Sequence, residues 1–422
     1  MAAAAAYVLL VIRGLEHVAL TEINSKLQVV SIEILTLQAD PAQPRLDVER
    51  GEAAVGKLLL YTTSSLADVK SLCSIQACLA YLGHTADIAT ATSAGLNQIG
   101  MLVERASTWS AALALWKDVH HDPPPPSSKE DAPSSALRFR GSCVRDGKHA
   151  YSSEAIAGAV GTAVLNLHPK WTVSLSDFDV EVVALVMHSH VVCGISLAEN
   201  SKTINYRGGR LAPEARHLSS LQYISTLRPS TAYLMLQLAK CQPGDVVLDC
   251  MCGVGTLPAC AVRWGRHVFG LGGDVTRDAV DQASANCTGQ YASICQWSAE
   301  NLPLRAACVD RILVDMPFGI RCGNSVNNSK LYPKAIAEMA RVLRLYGIAV
   351  LLVMSKKLLM HSVRNTPSLV VVDALQVNIG GLGVGVFVLQ KTSPHMAPRH
   401  KPATSTASKR KLQQEHVPST TV

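Results

Sequence analysis

Asp245-Val246-Val247-Leu248-Asp249-Cys250-Met251-Cys252-Gly253-Val254-Gly255-Thr256 is the stretch on which the fold turns. Its apolar run reads as a strand that delivers Asp249 to its carboxyl end. Gly253 and Gly255 then let the backbone turn tightly beneath a ligand, where a Cβ would collide. In dinucleotide-binding dehydrogenases the glycines cradle a pyrophosphate, and a third glycine follows three residues after the second. Here that position is Pro258. An acid just before the glycines suits a cation instead, such as the sulfonium and amino group of S-adenosylmethionine (SAM). Asp249, Cys252, Gly253, Gly255 and Thr256 are therefore candidate cofactor contacts, although a tight turn with a purely structural purpose is equally compatible with this stretch taken alone.

Reading outward, apolar strands at 245–250, 267–273, 293–297, 311–316 and 348–354 alternate with helical patterns of 10–15 residues. That alternation predicts a parallel, doubly wound α/β sheet. Ser368 to Val377 and Val384 to Lys391 flank Gly380-Gly381-Leu382-Gly383 and predict an antiparallel hairpin at the end. A doubly wound sheet closed by a hairpin fits a Rossmann-like class I SAM methyltransferase domain, over residues 226–391, better than a dehydrogenase. Asp274 ends the second strand, 25 residues beyond Asp249. An acid there accepts both ribose hydroxyls of a nucleoside cofactor, and it also serves as a cap for a helix over Arg277 to Asn286.

Asp315-Met316-Pro317-Phe318-Gly319, at the end of the fourth strand, separates these readings. The lone pair of an exocyclic amine on a base is delocalised into the ring, so methylating it is difficult. A fixed acceptor pair, the Asp315 carboxylate and the Met316 carbonyl, takes the two N–H bonds and aims the lone pair at an activated methyl group. Pro317 fixes the backbone, and Phe318 offers a face on which a flipped base stacks, worth about 1–3 kcal/mol. The alternative is a strand-end turn with Phe318 in the core.

Before this domain lie two α+β stretches. Residues 1–119 open with a strand, Tyr7 to Ile12, followed by a helix starting at Arg13-Gly14-Leu15-Glu16, with an amphipathic helix expected over Val69 to Leu82. Residues 120–136, with Pro123-Pro124-Pro125-Pro126, read as a stiff solvated linker. Residues 137–200 read β–α–β–β: a strand from Leu137 with basic residues, the Ser152-capped helix Ala155 to Leu165, and strands Asp179 to Met187 and His190 to Leu197. A connector, 201–225, leads to the catalytic domain, and 392–422 reads as a disordered basic tail, with Lys409-Arg410-Lys411 either a nuclear signal or simply solvated charge.

With 48% apolar and 17% charged residues, global disorder is excluded. The longest apolar run, Ala2 to Ile12, is far short of the about 20 residues that span a bilayer. It also lacks a basic leader, so neither a membrane span nor a signal peptide is expected. The twelve cysteines form no zinc-finger pattern, so no metal site is expected and reduced thiols are. The net charge of +7 is concentrated in the tail, which from Lys391 holds six bases against one acid. A near-neutral body with a basic tail is compatible with nucleic acid.

Taken together these residues resemble the THUMP-domain RNA methyltransferases across nearly the whole chain. The resemblance rests on Arg13-Gly14-Leu15-Glu16, on Phe139-Arg140 to Ser153, on Phe178-Asp179-Val180-Glu181-Val182 and on Leu227-Arg228-Pro229-Ser230-Thr231-Ala232. It continues through the Asp249 to Thr256 turn, Asn301-Leu302-Pro303-Leu304 and Asp315 to Gly319. It implies a ferredoxin-like N-terminal region, a THUMP module binding structured RNA, and a SAM-dependent domain forming N2-methylguanosine; the expected location is the nucleus, with the cytoplasm as the alternative. A small zinc-binding activator of the Trm112 type is the implied partner. The branch it most resembles acts on U6 spliceosomal small nuclear RNA, and a sister branch on tRNA. Where many relatives place an Asp for the adenine amine, this chain has Trp297-Ser298-Ala299, so Ser298 and Ala299 become the candidates, with affinity lower by about 0.5–1.5 kcal/mol if one net bond is lost.

Arg138, Arg140, Arg145, Lys148, Lys170 and Lys202 are the candidate phosphate contacts of the THUMP stretch, with Arg207 and Arg210 facing the catalytic entrance. An ordinary solvated face is the alternative for any one of them. The strand Ile294-Cys295-Gln296-Trp297 is expected at a sheet edge, too apolar to leave uncovered, and so is the expected seat of the activator. Rival functions are methylation of another planar amine, such as adenine N6 or a glutamine side chain, and a catalytically idle RNA-binding scaffold. A NAD oxidoreductase fits least, because the third glycine is missing.

Overall fold

The computed structural model describes residues 4–38, 52–120, 137–198, 227–265, 267–319, 325–379 and 381–393. The Pro-rich run, the whole connector 201–225 with Lys202, Arg207 and Arg210, and the Lys409-Arg410-Lys411 run lie outside them.

The first half runs β1 (Ala5–Leu10), α1 (Glu16–Lys26), β2 (Val29–Gln38), β3 (Glu52–Thr62), α2 (Leu66–Lys70), β4 (Ala77–Thr85), α3 (Ala94–Glu104) and α4 (Trp109–Val119). It continues with β5 (Arg138–Asp146), α5 (Ser153–Leu167), β6 (Thr172–Val173), β7 (Val180–Met187) and β8 (His190–Ser196). The βαββαβ order up to β4, with strands arranged β2-β3-β1-β4, is the ferredoxin-like pattern. The THUMP stretch does not stand apart from it: β4 pairs antiparallel with β8, giving one eight-stranded sheet, β2-β3-β1-β4-β8-β7-β5-β6. Its central strands, β1 and β7 among them, are buried on both faces. Along β1, Tyr7 and Leu9 enter one core while Val8 and Leu10 enter another, the period of two that a strand imposes.

The helix expected over Val69 to Leu82 does not form as such. It breaks after α2, where Ser71 Oγ bonds back to Asp68 O and the buried Glu22 carboxylate accepts Cys73 N and Ser74 N. The apolar run beyond becomes β4, between β1 and β8. Glu22 supplies the acceptor that helical carbonyls would otherwise have been, so a long-range bond overrides local periodicity.

The second half runs α6 (Pro229–Ala239), β9 (Val246–Asp249), α7 (Thr256–Trp264), β10 (Phe269–Asp274), α8 (Arg277–Asn286), β11 (Ala292–Gln296), β12 (Val309–Asp315), α9 (Ser325–Val342), β13 (Leu343–Val353), α10 (Lys356–Arg364), β14 (Leu369–Ile379) and β15 (Leu382–Lys391). Its strands lie in the order β11-β10-β9-β12-β13-β15-β14. The first five are parallel, and β15 is antiparallel to both neighbours. This is the expected Rossmann-like sheet with its closing hairpin. Chain order reverses at β9, which lies between β10 and β12, and the crevice of such a sheet opens at the carboxyl ends beside that strand.

The two halves meet through the Arg13-Gly14-Leu15-Glu16 turn. Asn378 N donates to Arg13 O at 3.0 Å, bridging the turn to β14. Gly14 sits at φ +94°, and a Cβ there would lie 2.0 Å from Gln376 O. Glu16, 2% exposed, accepts Gly14 N and Gly56 N at 2.8 Å each and locks the turn. A single hydrophobic core carries Leu15 and Ile23 together with Leu234 and Val386, so it continues from one half into the other.

Candidate active site

Three acids end three adjacent parallel strands: Asp249 on β9, Asp274 on β10 and Asp315 on β12. Asp249 is 3% exposed, and burial holds its carboxyl well above the usual range, with the charges of Asp315 and Asp274 adding to the effect. Met251 N donates to its Oδ1 at 3.1 Å. The glycine turn folds over the strand ends: Cys252 N donates to Gly273 O and Gly255 N to Cys252 O. Gly253 (φ +50°) and Gly255 (φ +83°) both occupy left-handed backbone. A Cβ at Gly255 would meet Ala283 at 2.9 Å, whereas one at Gly253 would meet nothing within 4 Å. Gly255 is thus a glycine for packing, and Gly253 borders open space. Thr256, buried, begins α7.

Asp274 uses each carboxylate oxygen once, accepting Gly253 N (Oδ2, 3.0 Å) and Thr276 N (Oδ1, 3.0 Å). The cap expected of Asp274 is not formed: Thr276 is the N-cap of α8, without a side-chain cap bond, and Asp274 accepts only the Thr276 amide just ahead of the helix, each of its oxygens keeping a second lone pair. Trp297, which sequence reasoning placed on the edge strand, is buried beneath this turn. Its Nε1 donates to Cys250 O at 3.2 Å, and its ring would lie 2.2 Å from a Cβ on Gly273. Ser298 is exposed, its Oγ accepting Glu300 N at 3.3 Å, and Ala299 is buried.

Asp315 Oδ1 is buried and has no hydrogen-bond partner among the described residues, and burial pushes its carboxyl up to about 7. An orphaned buried acceptor is costly unless a ligand completes it. Next to it, Met316 is 1% exposed and its amide donates to Leu352 O at 3.0 Å. The Pro317 carbonyl accepts from Asn328 Nδ2 at 2.6 Å and Tyr332 Oη at 3.4 Å, both from α9. Phe318 is half-buried, and Gly319 follows at φ +79°.

The phosphate candidates need correction. Arg138 pairs with Asp179 (3.1 Å) and with Asp177. Arg140 pairs with Glu181 (2.6 Å), whose side chain is 1% exposed, and lies over the Phe178 ring at 4.3 Å. Strand pairing puts Arg140 opposite Glu181 on β7, so this charge is spent inside the protein. Arg145 donates to Tyr151 O. Lys148 and Lys170 are exposed. Among the described residues no group of three or more His, Cys, Asp or Glu is placed to hold a metal, and no helix is long and apolar enough to cross a membrane.

Residues 216–384 match the family described as UPF0020, an RMKL-like methyltransferase domain. The chain is 35% identical over 291 residues to the bovine tRNA (guanine(6)-N(2))-methyltransferase THUMP3, covering 64% of this chain and 54% of that protein. It is 30% identical over 226 residues to the bovine U6 snRNA (guanine-N(2))-methyltransferase THUMPD2, covering 51% and 40%. Over these stretches the chain is similar to THUMP-domain guanine-N2 RNA methyltransferases. It spans about half the length of the curated relatives it matches. The mammalian tRNA-enzyme relatives match more of the chain at higher identity than the U6 relatives, the reverse of the order expected from the motifs. The fold agrees with the crystal structure of TrmN from Thermus thermophilus, at a TM-score of 0.66 and 21% identity over 92% of this chain and 99% of that one. The site residues fit SAM: the three clustered acids suit a cation, Gly253 leaves room for a ligand, and Asp315 Oδ1 lacks, among the described residues, the donor that a substrate amine would bring.

Proposed function

We propose that the chain transfers a methyl group from SAM to the exocyclic N2 of a guanosine in a structured small RNA. The observation that carries this reading is Asp315 Oδ1, buried and unpaired at the end of β12 beside the other two acids. SAM, when bound, supplies the electrophilic methyl. Asp249 and Asp274 favour its positive charge, and Asp274 keeps lone pairs for ribose hydroxyls. Gly253 gives it a bare wall. Asp315 Oδ1 and the Met316 carbonyl take the two N–H bonds of the amine, which frees the nitrogen lone pair from the ring. Phe318 supports the extruded base. The displaced proton passes to Asp315 Oδ1, whose carboxyl titrates near neutrality.

The names of both sets of relatives support guanine N2, and they supply the two RNAs to offer first. The decisive assay incubates the chain with methyl-labelled SAM and either total tRNA or U6 snRNA, then resolves nucleosides by mass spectrometry. Labelled N2-methylguanosine is expected, with tRNA the better substrate. Label in another nucleoside, or none with the activator present, defeats the reading.

The activator belongs to the same proposal. β11 lies at the sheet edge, with Ser293, Cys295 and Gln296 exposed. Since Trp297 is buried, the apolar character of this edge comes from Tyr291 (81% exposed) and Phe269 (40%), with Val275 at its far end. An edge of this kind suits a strand-pairing partner such as a Trm112-type protein. Full activity of the chain purified alone as a soluble monomer would rule the partner out.

A further inference from the structure

The Asp315–Phe318 segment presents three oxygens in succession: the Asp315 carboxylate, the Met316 carbonyl and the Pro317 carbonyl. An amine has only two N–H bonds, and its lone pair must stay aimed at the methyl group. A third acceptor facing the same crevice would compete for those bonds and turn the nitrogen away from attack. The structure disposes of it. Asn328 and Tyr332 stand four residues apart, one turn on the same face of α9, and are 6% and 1% exposed. Both donate to the Pro317 carbonyl, at 2.6 and 3.4 Å. Proline has no N–H, so this carbonyl is the only hydrogen-bonding group Pro317 has, and it is fully engaged by a different element.

We infer that Asn328 and Tyr332 are positioning residues for methyl transfer: they hold the Pro317 carbonyl against α9, so that Asp315 Oδ1 and the Met316 carbonyl alone grip the amine and the Phe318 ring keeps its plane. This rests on the function proposed above. Neither side chain touches the reacting atoms. Each acts through the peptide that joins the grip to the stacking ring, and a misplacement of about 1 Å there is worth up to about 100-fold in rate.

The test uses the full chain with its activator and four variants: Asn328→Leu, which keeps the number of side-chain heavy atoms and removes the donor, Asn328→Ala, Asn328→Ser and Tyr332→Phe. Single-turnover rates are measured alongside the dissociation constant for SAM and the KM for RNA. Asn328→Leu and Asn328→Ala should both slow methyl transfer about 10–100-fold while SAM and RNA affinities stay within about 2-fold. Asn328→Ser, which restores a donor, should recover part of the rate, and Tyr332→Phe should lose about 3-fold, as the longer bond implies. A wild-type rate in Asn328→Leu, or a loss that falls on SAM or RNA affinity instead of rate, overturns the inference. If the wild type itself labels no guanosine, the functional reading has failed and this inference goes with it. An active wild type with unaffected variants defeats the inference alone.

Discussion

Asp315 is costly to the free protein and, on the function proposed above, necessary to the reaction, and both properties come from one oxygen. Its carboxyl is raised to about 7 by burial, so the folded state binds a proton that the unfolded state has already released above its ordinary value near 4. Stability from this group is therefore greatest below pH 4 and falls as pH rises towards 7. Asp315→Asn should raise the unfolding free energy of the cofactor-free protein by about 1–3 kcal/mol at pH 8 and change it little at pH 4, as read by denaturant titration at the two values. Methyl transfer needs the opposite state, a carboxylate able to accept N–H. The rate should climb with pH through about 7 and level off, and that limb should vanish in Asp315→Asn together with most of the activity. The residue types of this site were readable from the chain: an acid before two glycines, an acid after the next strand, and Asp–x–Pro–aromatic after another. What supports them was not. Trp297 under Gly273 and Asn328 against Pro317 are joined to their targets by tertiary packing, which leaves no local spacing to read.

At the level of elements, charge that reads as surface in a strand can be consumed by the neighbouring strand. Arg138 and Arg140 alternate with apolar residues on β5, a pattern that suggests a basic rim, yet the parallel register with β7 sets Arg140 opposite Glu181. Arg140→Ala should strand a carboxylate whose side chain is 1% exposed, lowering stability by about 2–4 kcal/mol in thermal or denaturant unfolding. Adding Glu181→Gln should recover part of that loss. RNA affinity, if carried by this half, should respond instead to Lys148→Ala with Lys170→Ala, which should weaken binding and flatten its dependence on salt without altering the melting temperature. The same lesson applies to β4, where apolar residues at helical spacing form a strand because Glu22 captures the preceding amides. The central strands of the catalytic sheet, β9, β12 and β13, escaped such ambiguity because burial on both faces makes them nearly continuous apolar runs.

For the whole molecule, the Arg13-Gly14-Leu15-Glu16 turn joins the halves, and Gly14 is the residue that cannot change. Alanine there must hold φ +94° with its Cβ 2.0 Å from Gln376 O, so the turn has to withdraw from β14. Gly14→Ala should leave SAM affinity near the wild-type value, make the chain more susceptible to limited proteolysis, and cut methylation of full-length RNA far more than methylation of a short oligonucleotide. Equal losses on the two substrates would mean that the turn matters only for folding. The shared eight-stranded sheet was not legible because β4 and β8 are separated by more than a hundred residues, and the partner of an edge is a matter of shape rather than of pattern. A footing made of main chain, with no slack between Gly14 and the hairpin, turns the molecule into a caliper. On the function proposed above, an RNA held by one jaw would offer the other the nucleotide lying at that span, so shifting the target guanosine along the folded RNA by inserted base pairs should abolish its methylation whatever the letters around it.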